Sequence, residues 1–583
     1  MPAAPALSFP PPSGRPKAAG SRWSWLAPVV GILALGCFAY ANSLHGEFAF
    51  DDREHLRDNL AIRDLGAFLG PTGYRLYPNR FVAYATFALN YRLGGLDVFG
   101  YHLANLIIHL LASLILYRLV RLLFQTPLVR GSRLAGNSRS VAFVASALFV
   151  THPLGTQAVT YIVQRLASLA ALFYLLAVVL YIAWRLAAES PGVRGWRRAL
   201  LYFGVLVASL LAVRTKEVAF TLPAALVLVE FLFFPPGGFR RWIPVAPVGA
   251  IALLIPATWV NLAGPVAEVA ASADRVTRLL TPMSRLDYLK TQAVVVCEYL
   301  RLLAWPSGQN LDHDFPVFTS ILAPRVLGSL AILLALAASA IWLALRTTPR
   351  PGRPSLDPAF RLVAFGIGWF FLTLAVESSL IPIVDVIYEH RAYLPSAGLF
   401  ASAATLLGLV ALRFAPEGAG RTTVLAGVAL ALLLGSLSLR RNAVWATAVE
   451  LWSDTAAKSP GKFRPHLNLG ESLDAARDLA GAEREYRRAV EIDPESLRAR
   501  TSLATVLQKA GRLQDAEMEY RTVLRLAPGH HPAIFNLAAL LWGTGRRDEA
   551  AGLYRRFLEV APAGSGSASS LAAARSTAAP PPP

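Results

Sequence analysis

From position 25 to about 439 the chain alternates long apolar runs with short polar connections, and from 463 onward it becomes charged and amphipathic. The apolar runs fall near 25–44, 102–124, 140–152, 165–184, 199–213, 218–234, 243–262, 321–345, 360–376, 393–413 and 422–439. Runs of this kind cross a hydrocarbon core of ~30 Å as helices, the shorter ones borrowing flanking residues, so the pattern predicts an all-α, polytopic bundle of about eleven spans. The run 292–305 carries Glu298 and Arg301 and predicts a half-buried or interfacial helix instead of a crossing. Loop 45–101, after the first span, contains an aromatic stretch at 79–93. Its spacing predicts a helix along the membrane surface, roofing a cavity behind Asp51.

The polar end of the chain is periodic. Leu469, Leu503 and Leu537 are 34 residues apart, as are Ala482, Ala516 and Ala550, Tyr486, Tyr520 and Tyr554, and Pro494, Pro528 and Pro562. That is the tetratricopeptide period, in which each unit is a helix–turn–helix pair stacked on its neighbours. The units fall at 463–496, 497–530 and 531–564, with a capping segment at 443–462 that contains Trp445 and Trp452. Such an α-solenoid presents a concave groove able to take an extended peptide. The Pro/Ala-rich stretch 1–24, with Arg15, Lys17 and Arg22, predicts a disordered cytoplasmic tail, and 565–583 a disordered Ala/Pro-rich one. The long apolar run after 1–24 predicts an uncleaved signal anchor.

Composition agrees with the pattern: 55% of residues are hydrophobic and only 16% charged. The formal charge of +19 does not imply nucleic acid. Its arginines sit in short loops between apolar runs, as Arg118, Arg121, Arg130, Arg133 and Arg139, then Arg194, Arg197 and Arg198, Arg240 and Arg241, and Arg346, Arg350 and Arg353. This is the positive-inside distribution, and it places those loops and the N-terminus in the cytoplasm. Cys37 and Cys297 are far apart in apolar surroundings, which excludes a disulfide framework or a cysteine metal site. No phosphate-cradling glycine loop, Ser/His/Asp arrangement or zinc pattern stands out, which argues against a cytoplasmic nucleotide-sugar enzyme.

With that orientation, the polar clusters converge on the extracytoplasmic face: Asp51 and Asp52, His152 to Arg165, Lys216 and Glu217, Asp312 to Asp314, and Glu389, His390 and Arg391. Ionisable groups near membrane depth are costly and are kept for function or pairing. A carboxylate at Asp51 or Asp52 suits a general base, or alternatively an N-cap for the following helix. In an extended stretch the two would point to opposite faces, so one faces the site and the other supports it. His152 fits a substrate contact or a backbone-bonded interfacial histidine. The Arg165 guanidinium fork suits a phosphate or a snorkelling interfacial arginine. That of Arg391 suits a phosphate with Glu389 as its orienter, or the cluster Glu389, His390 and Arg391 is a structural ion pair. Lys216 and Glu217 fit either a substrate role or a salt bridge within the bundle. Two carboxylates and a histidine at 312–314 do not by themselves make a metal site, and no metal is expected.

Several segments together resemble a known family, the transmembrane and tetratricopeptide repeat-containing O-mannosyltransferases and their bacterial relatives. They are FAFDD at 48–52, FALNYRLGGLDVFGYHLANLIIHLL at 87–111, THPLGTQAV at 151–159, TKEVAFTLPA at 215–224, EYLRLLAWP at 298–306 and EHRAYLPSAG at 389–398. The resemblance implies a GT-C-like fold whose site lies outside the cytoplasm and whose donor is a polyprenyl-phosphate sugar, mannose in that family. It implies that Asp51 or Asp52 activates the acceptor hydroxyl, with Asp51 favoured by its place in the motif. Gln157 stands where relatives often carry Glu, which removes an acidic role there.

The expectation is therefore a multi-pass bacterial plasma-membrane enzyme with periplasmic repeats, moving a sugar from a polyprenyl phosphate to protein Ser/Thr hydroxyls. The catalytic candidates are Asp51 and Asp52. The binding candidates are His152, Arg165, Lys216, Glu217, Glu389, His390 and Arg391. No cofactor is expected beyond the lipid-linked sugar, and the repeats would bind a protein acceptor or partner. The competing class is a non-catalytic, membrane-anchored scaffold, which has no need of the polar convergence.

Overall fold

The computed structural model of the chain describes residues 26–190, 192–258, 283–348, 354–378 and 382–560. The expected tails at 1–24 and 565–583 lie outside the described residues, as do the ends of two predicted spans, at 25 and 259–262. All regular structure among the described residues is helical.

The apolar runs form α1 (Leu26–Ala39), α3 (Val98–Leu123), α4 (Ser138–Thr151), α5 (Arg165–Glu189), α6 (Gly195–Val213), α7 (Leu222–Phe233), α8 (Phe239–Ala257), α10 (Pro324–Arg346), α11 (Phe360–Leu374), α12 (Tyr393–Phe414) and α13 (Ala419–Ala443). Between them lie α2 (Phe81–Gly94) and α9 (Arg285–Ala304). Seven helices are long and apolar enough to cross a membrane, and an eighth span is counted if the pair Ala135–Thr151 and Pro153–Val159, bent by 53°, is taken as one. The chain is a multi-pass membrane protein. Some predicted spans are shorter as helices because their ends are spent on other geometry. Proline follows His152 and breaks α4 from the next turn, and a 3-10 turn at Glu217–Thr221 precedes α7.

Helix α9 begins earlier than the predicted 292–305, at Arg285, because the Ser284 side chain accepts the Asp287 N–H and caps it. Tyr288, Gln292, Val295, Tyr299 and Leu302 are buried on one face, while Glu298 and Arg301 pair at 2.6 Å on the other. This is the two-sided surface expected of an interfacial helix.

The solenoid follows, as α15 (Phe463–Ala475) with α16 (Leu479–Ile492), α17 (Leu497–Lys509) with α18 (Leu513–Leu526), and α19 (His531–Gly543) with α20 (Arg547–Val560), after a short α14 (Ala448–Lys458). The periodic alanines and tyrosines fill its core: Ala482, Ala516, Ala550, Tyr486, Tyr520 and Tyr554 are all buried. Helix α14 belongs as much to the membrane domain as to the repeats. Trp445, Leu451 and Trp452 pack into the bundle's own core.

One buried cation ties the surface helix α2 to the bundle. Arg165 is fully buried at the start of α5. It donates to Asn105 Oδ1 at 2.6 Å, Asn90 Oδ1 at 2.7 Å, Thr86 Oγ1 at 3.1 Å and the Tyr101 carbonyl at 2.9 Å. Its guanidinium also lies 4.4 Å from the Phe87 ring centroid. Replacing it leaves several buried acceptors without donors, each costly in a low-dielectric interior. Arg165→Met is therefore expected to cost about 3–5 kcal/mol of stability, read as a lowered thermal midpoint in detergent. An unchanged midpoint would refute the account.

Candidate functional site

The stretch GEFAFDD forms a tight turn. Gly46 allows its approach to the end of α13, since a Cβ there would lie 2.8 Å from the Trp445 carbonyl oxygen. Phe50 adopts φ of 48°, a left-handed conformation that costs an L residue roughly 1–2 kcal/mol. Its ring is held by Trp452 (centroids 5.5 Å apart) and Tyr161 (6.5 Å). Asp52 closes the turn: Oδ2 accepts the Ala49 N–H at 3.0 Å and Oδ1 accepts the Val163 N–H at 2.7 Å. The expected division between the two acids holds, but through a turn and not an extended strand. Asp52 is buried against the backbone, and its side chain makes no helix cap. Asp51 faces a cavity.

That cavity has a volume of ≈ 330 Å³ and is lined by Asp51, His55, Arg80, Tyr84, Gln164, Lys216, Glu217, Glu377, Tyr388, His390 and Arg391, among others. Arg80 and Tyr84, on and just before α2, contribute to its wall, as the roof reading requires. Lys216 and Glu217 do not pair with each other. Lys216 binds Glu377 at 2.7 Å and Glu217 binds Arg80 at 3.2 Å. Each contact joins separate parts of the chain across the cavity's edge. Burial pushes the Glu377 carboxyl up, but the positive charges of Lys216 and Arg391 pull it further down, below the usual carboxylate range.

Arg391 is oriented by carbonyl oxygens and not by Glu389. It donates to the Val386 carbonyl at 3.2 Å and the Asp385 carbonyl at 2.9 Å, and lies 5.4 Å from the Tyr388 ring centroid. It forms no ion pair among the described residues, although it is buried. The His390 N–H donates to Gln157 Oε1 at 2.7 Å, and its ring Nδ1 has no partner among the described residues. A cationic fork and an unsatisfied imidazole nitrogen therefore border the same space as Asp51.

The remaining candidates sit elsewhere. Glu389 points away from Arg391, to the Asn310 N–H at 2.6 Å, Gln309 at 2.9 Å and His313 at 3.2 Å. His152 accepts the Leu154 N–H at 3.1 Å and contacts the Leu303 carbonyl at 3.1 Å. Arg165 gives its donors to the network above and does not line the cavity. Asp312 is taken by Lys462 and Arg464. Arg80, Glu377 and Tyr388 also line the cavity and are not among the residues expected from the sequence. Glu377 carried a signal, as a lone acid just past the span 360–376. Arg80 and Tyr388 sit in loops with no pattern of their own.

Burial raises the Asp51 carboxyl above the usual range, against the Tyr161 hydroxyl, His55 and Arg464, which act the other way. Burial likewise pushes Asp52 up to about 8, against its backbone N–H donors. An acid in a cavity whose carboxyl is held above its ordinary range is a stronger proton acceptor than a free carboxylate.

A tetratricopeptide repeat family model matches residues 433–496 and 501–568. The chain is similar over 79% of its length to Protein O-mannosyl-transferase Tmtc3 of Drosophila melanogaster (27% identical) and Protein O-mannosyl-transferase F38B6.6 of Caenorhabditis elegans (24%). It is 25% identical to Protein O-mannosyl-transferase TMTC4 of Mus musculus over the same share. These relatives bear out the resemblance read from the motifs. The chain spans 54% of the first relative's length, 62% of the second's and 66% of the third's. Among solved structures, ArnT from Cupriavidus metallidurans bound to undecaprenyl phosphate is similar at 16% identity, over 86% of this chain and 80% of that one, with a TM-score of 0.36.

The two acids should separate in stability. Asn at position 52 turns one acceptor into a donor facing an N–H, so Asp52→Asn should cost about 1–3 kcal/mol. Asp51→Asn removes a partly desolvated charge and should leave the thermal midpoint unchanged or slightly raised. Equal losses in both variants would contradict the assignment of Asp52 as the structural acid.

Proposed function

We propose that the chain is a membrane glycosyltransferase that moves a sugar, mannose by analogy with its relatives, from a polyprenyl phosphate to Ser/Thr hydroxyls of extracytoplasmic proteins. The observation that carries this reading is the placement of Asp51 in one cavity with the guanidinium of Arg391, which forms no ion pair among the described residues. The two groups answer the two charge problems of such a transfer. Asp51 accepts the acceptor hydroxyl's proton as its oxygen attacks the anomeric carbon. The bond from that carbon to the lipid phosphate breaks, and the phosphate leaves with its negative charge toward Arg391 and Lys216. Attack opposite the leaving group inverts the anomeric centre. These cations supply the leaving-group stabilisation, so the mechanism calls for no metal or further cofactor.

The lipid chain has a matching surface. An apolar groove of ≈ 430 Å³ runs along α7 and α11, lined by Ala224, Val227, Leu228, Phe231, Gly368, Phe371 and Leu372. These helices meet the cavity where Lys216 precedes α7 and Glu377 follows α11. In this reading the isoprenoid lies in the groove and its phosphate reaches Arg391. The arginine-rich loops between spans support a cytoplasmic placement of the opposite end. The cavity and the repeats then face outward from a bacterial plasma membrane, and the solenoid groove presents a protein acceptor or binds a partner. A scaffold alone has no use for the ionisable groups gathered in the cavity.

The test is sugar transfer by purified full-length protein from polyprenyl-phosphate mannose to a Ser/Thr peptide. Asp51→Asn should lower the rate by at least ~100-fold. Because the Asp51 carboxyl is raised in the folded protein, the wild-type rate should fall on its acid limb at a pH above the ordinary carboxylate range. Arg391→Gln should weaken use of the lipid donor by ~10–100-fold in kcat/KM. A wild-type rate retained by Asp51→Asn would refute the catalytic assignment.

A further inference from the structure

The first repeat contacts segments that line the cavity through Arg464. Arg464 is the second residue of α15 and so belongs to the first repeat. Its Nε donates to Asp312 Oδ2 at 2.6 Å and its Nη2 to Asp312 Oδ1 at 2.6 Å. The same guanidinium reaches Asp385, from Nη2 to Oδ1 at 2.6 Å and from Nη1 to Oδ2 at 3.2 Å. Lys462 binds Asp312 as well and lies 3.4 Å from Asp385. The guanidinium also lies 5.2 Å from the centroid of the Phe50 ring.

Two of these partners, Asp385 and Phe50, lead to the cavity. Asp385 accepts the Tyr388 hydroxyl at 2.8 Å, and its backbone carbonyl accepts from Arg391. The segment 385–391 therefore carries Tyr388, His390 and Arg391 to the cavity wall. Phe50 precedes Asp51 and stands in the left-handed conformation, which an L residue holds only when its surroundings over-determine it. Trp452 of α14, which packs in the bundle core, and Arg464 of α15, from the first repeat, supply part of that restraint. Asp312 ties loop 306–323 into the same node.

The geometry points to Arg464 as a positioning residue that makes docking of the first repeat a condition for an assembled cavity, so that the solenoid orders the base and the phosphate fork as well as engaging protein. This rests on the reading of Asp51 as the base. Arg464 touches neither substrate nor reacting atoms. It acts through Phe50 on one wall and Asp385 on the other. Its charge also faces Asp51, together with His55 and Glu54 on the same turn, Asp52, and the hydroxyls of Tyr161 and Tyr84.

The experiment uses the full chain with Arg464→Gln and Arg464→Lys, and with Arg512→Gln as a control that breaks ion pairs to Glu483 and Asp515 inside the repeats. Hydrogen–deuterium exchange reads the positioning without any activity. Arg464→Gln should raise exchange in segments 49–57 and 382–391 by about threefold or more, while Arg512→Gln leaves both as in the wild type. Transfer from polyprenyl-phosphate mannose to a short Ser/Thr peptide supplies the second readout. Removing a positive charge beside Asp51 raises its proton affinity, so Arg464→Gln should move the acid limb to higher pH and lower kcat. Arg464→Lys keeps the charge and should lower kcat with the limb in place. Unchanged exchange at 49–57 in Arg464→Gln overturns the inference, as does the same change in Arg512→Gln. If Arg464→Gln does not fold, Arg464→Lys decides by the same exchange criterion. A wild type inactive on this donor overturns the proposed reaction, while the exchange data still decide whether Arg464 positions the turn.

Discussion

The Asp52 carboxylate accepts two backbone N–H groups, one from its own turn and one from Val163, and the cavity end of the bundle is arranged around that pair of bonds. They join the first loop to the segment that opens α5. With Asp52 held inward, the chain must leave Phe50 in a left-handed conformation and direct Asp51 outward. A buried carboxylate would be unstable here without donors. The bonds that stabilise Asp52 also determine where its neighbour points, so two adjacent acids of the same chemistry acquire different environments.

The rest of the cavity is built by cross-linking loops that are distant in sequence. Arg80 meets Glu217, Lys216 meets Glu377, and Arg391 is steered by carbonyls of the segment that precedes it. Removing one partner of the largely buried Lys216–Glu377 pair leaves an uncompensated charge, which is more costly than losing the partly exposed Arg80–Glu217 contact to water. The pairs thus act as geometric restraints as much as sources of stability. Arg391 differs from the other cations because its partners are neutral carbonyls, so its charge remains available to an anion. The Asp312–Asp385–Arg464 node extends the same cross-linking to the solenoid. The first repeat is thereby joined to the loops at 312 and 385 by ion pairs.

Much of the architecture was legible in the sequence. Hydrophobic runs marked the spans because lipid admits only backbones with satisfied hydrogen bonds, and a helix satisfies them within its own segment. The 34-residue spacing of Ala482, Tyr486 and their counterparts marked the solenoid because stacked units reuse the same contacts. The two-sided surface of α9 was legible from Glu298 and Arg301, but its start was not, since that depended on a cap at Ser284. The site was legible only as a set of polar clusters at one end. Asp51, Lys216, Glu217, His390 and Arg391 do meet in one cavity. His152, Arg165 and Glu389, equally conspicuous in sequence, are occupied with backbone and side-chain partners beside it.

The sequence by itself determined the helical bundle, the repeats and the cluster of candidate acids and cations, because these follow from local periodicity and from the cost of placing charge near lipid. Only the tertiary structure decided which charge pairs with which. Lys216 and Glu217 are neighbours that bind different partners, and Arg391 and Glu389 are two residues apart without touching. Electrostatic pairing is set by distance in space and by what each group loses on leaving water, and neither is encoded in separation along the chain. For the same reason the different environments of Asp51 and Asp52 depend on the N–H of Val163, more than a hundred residues away.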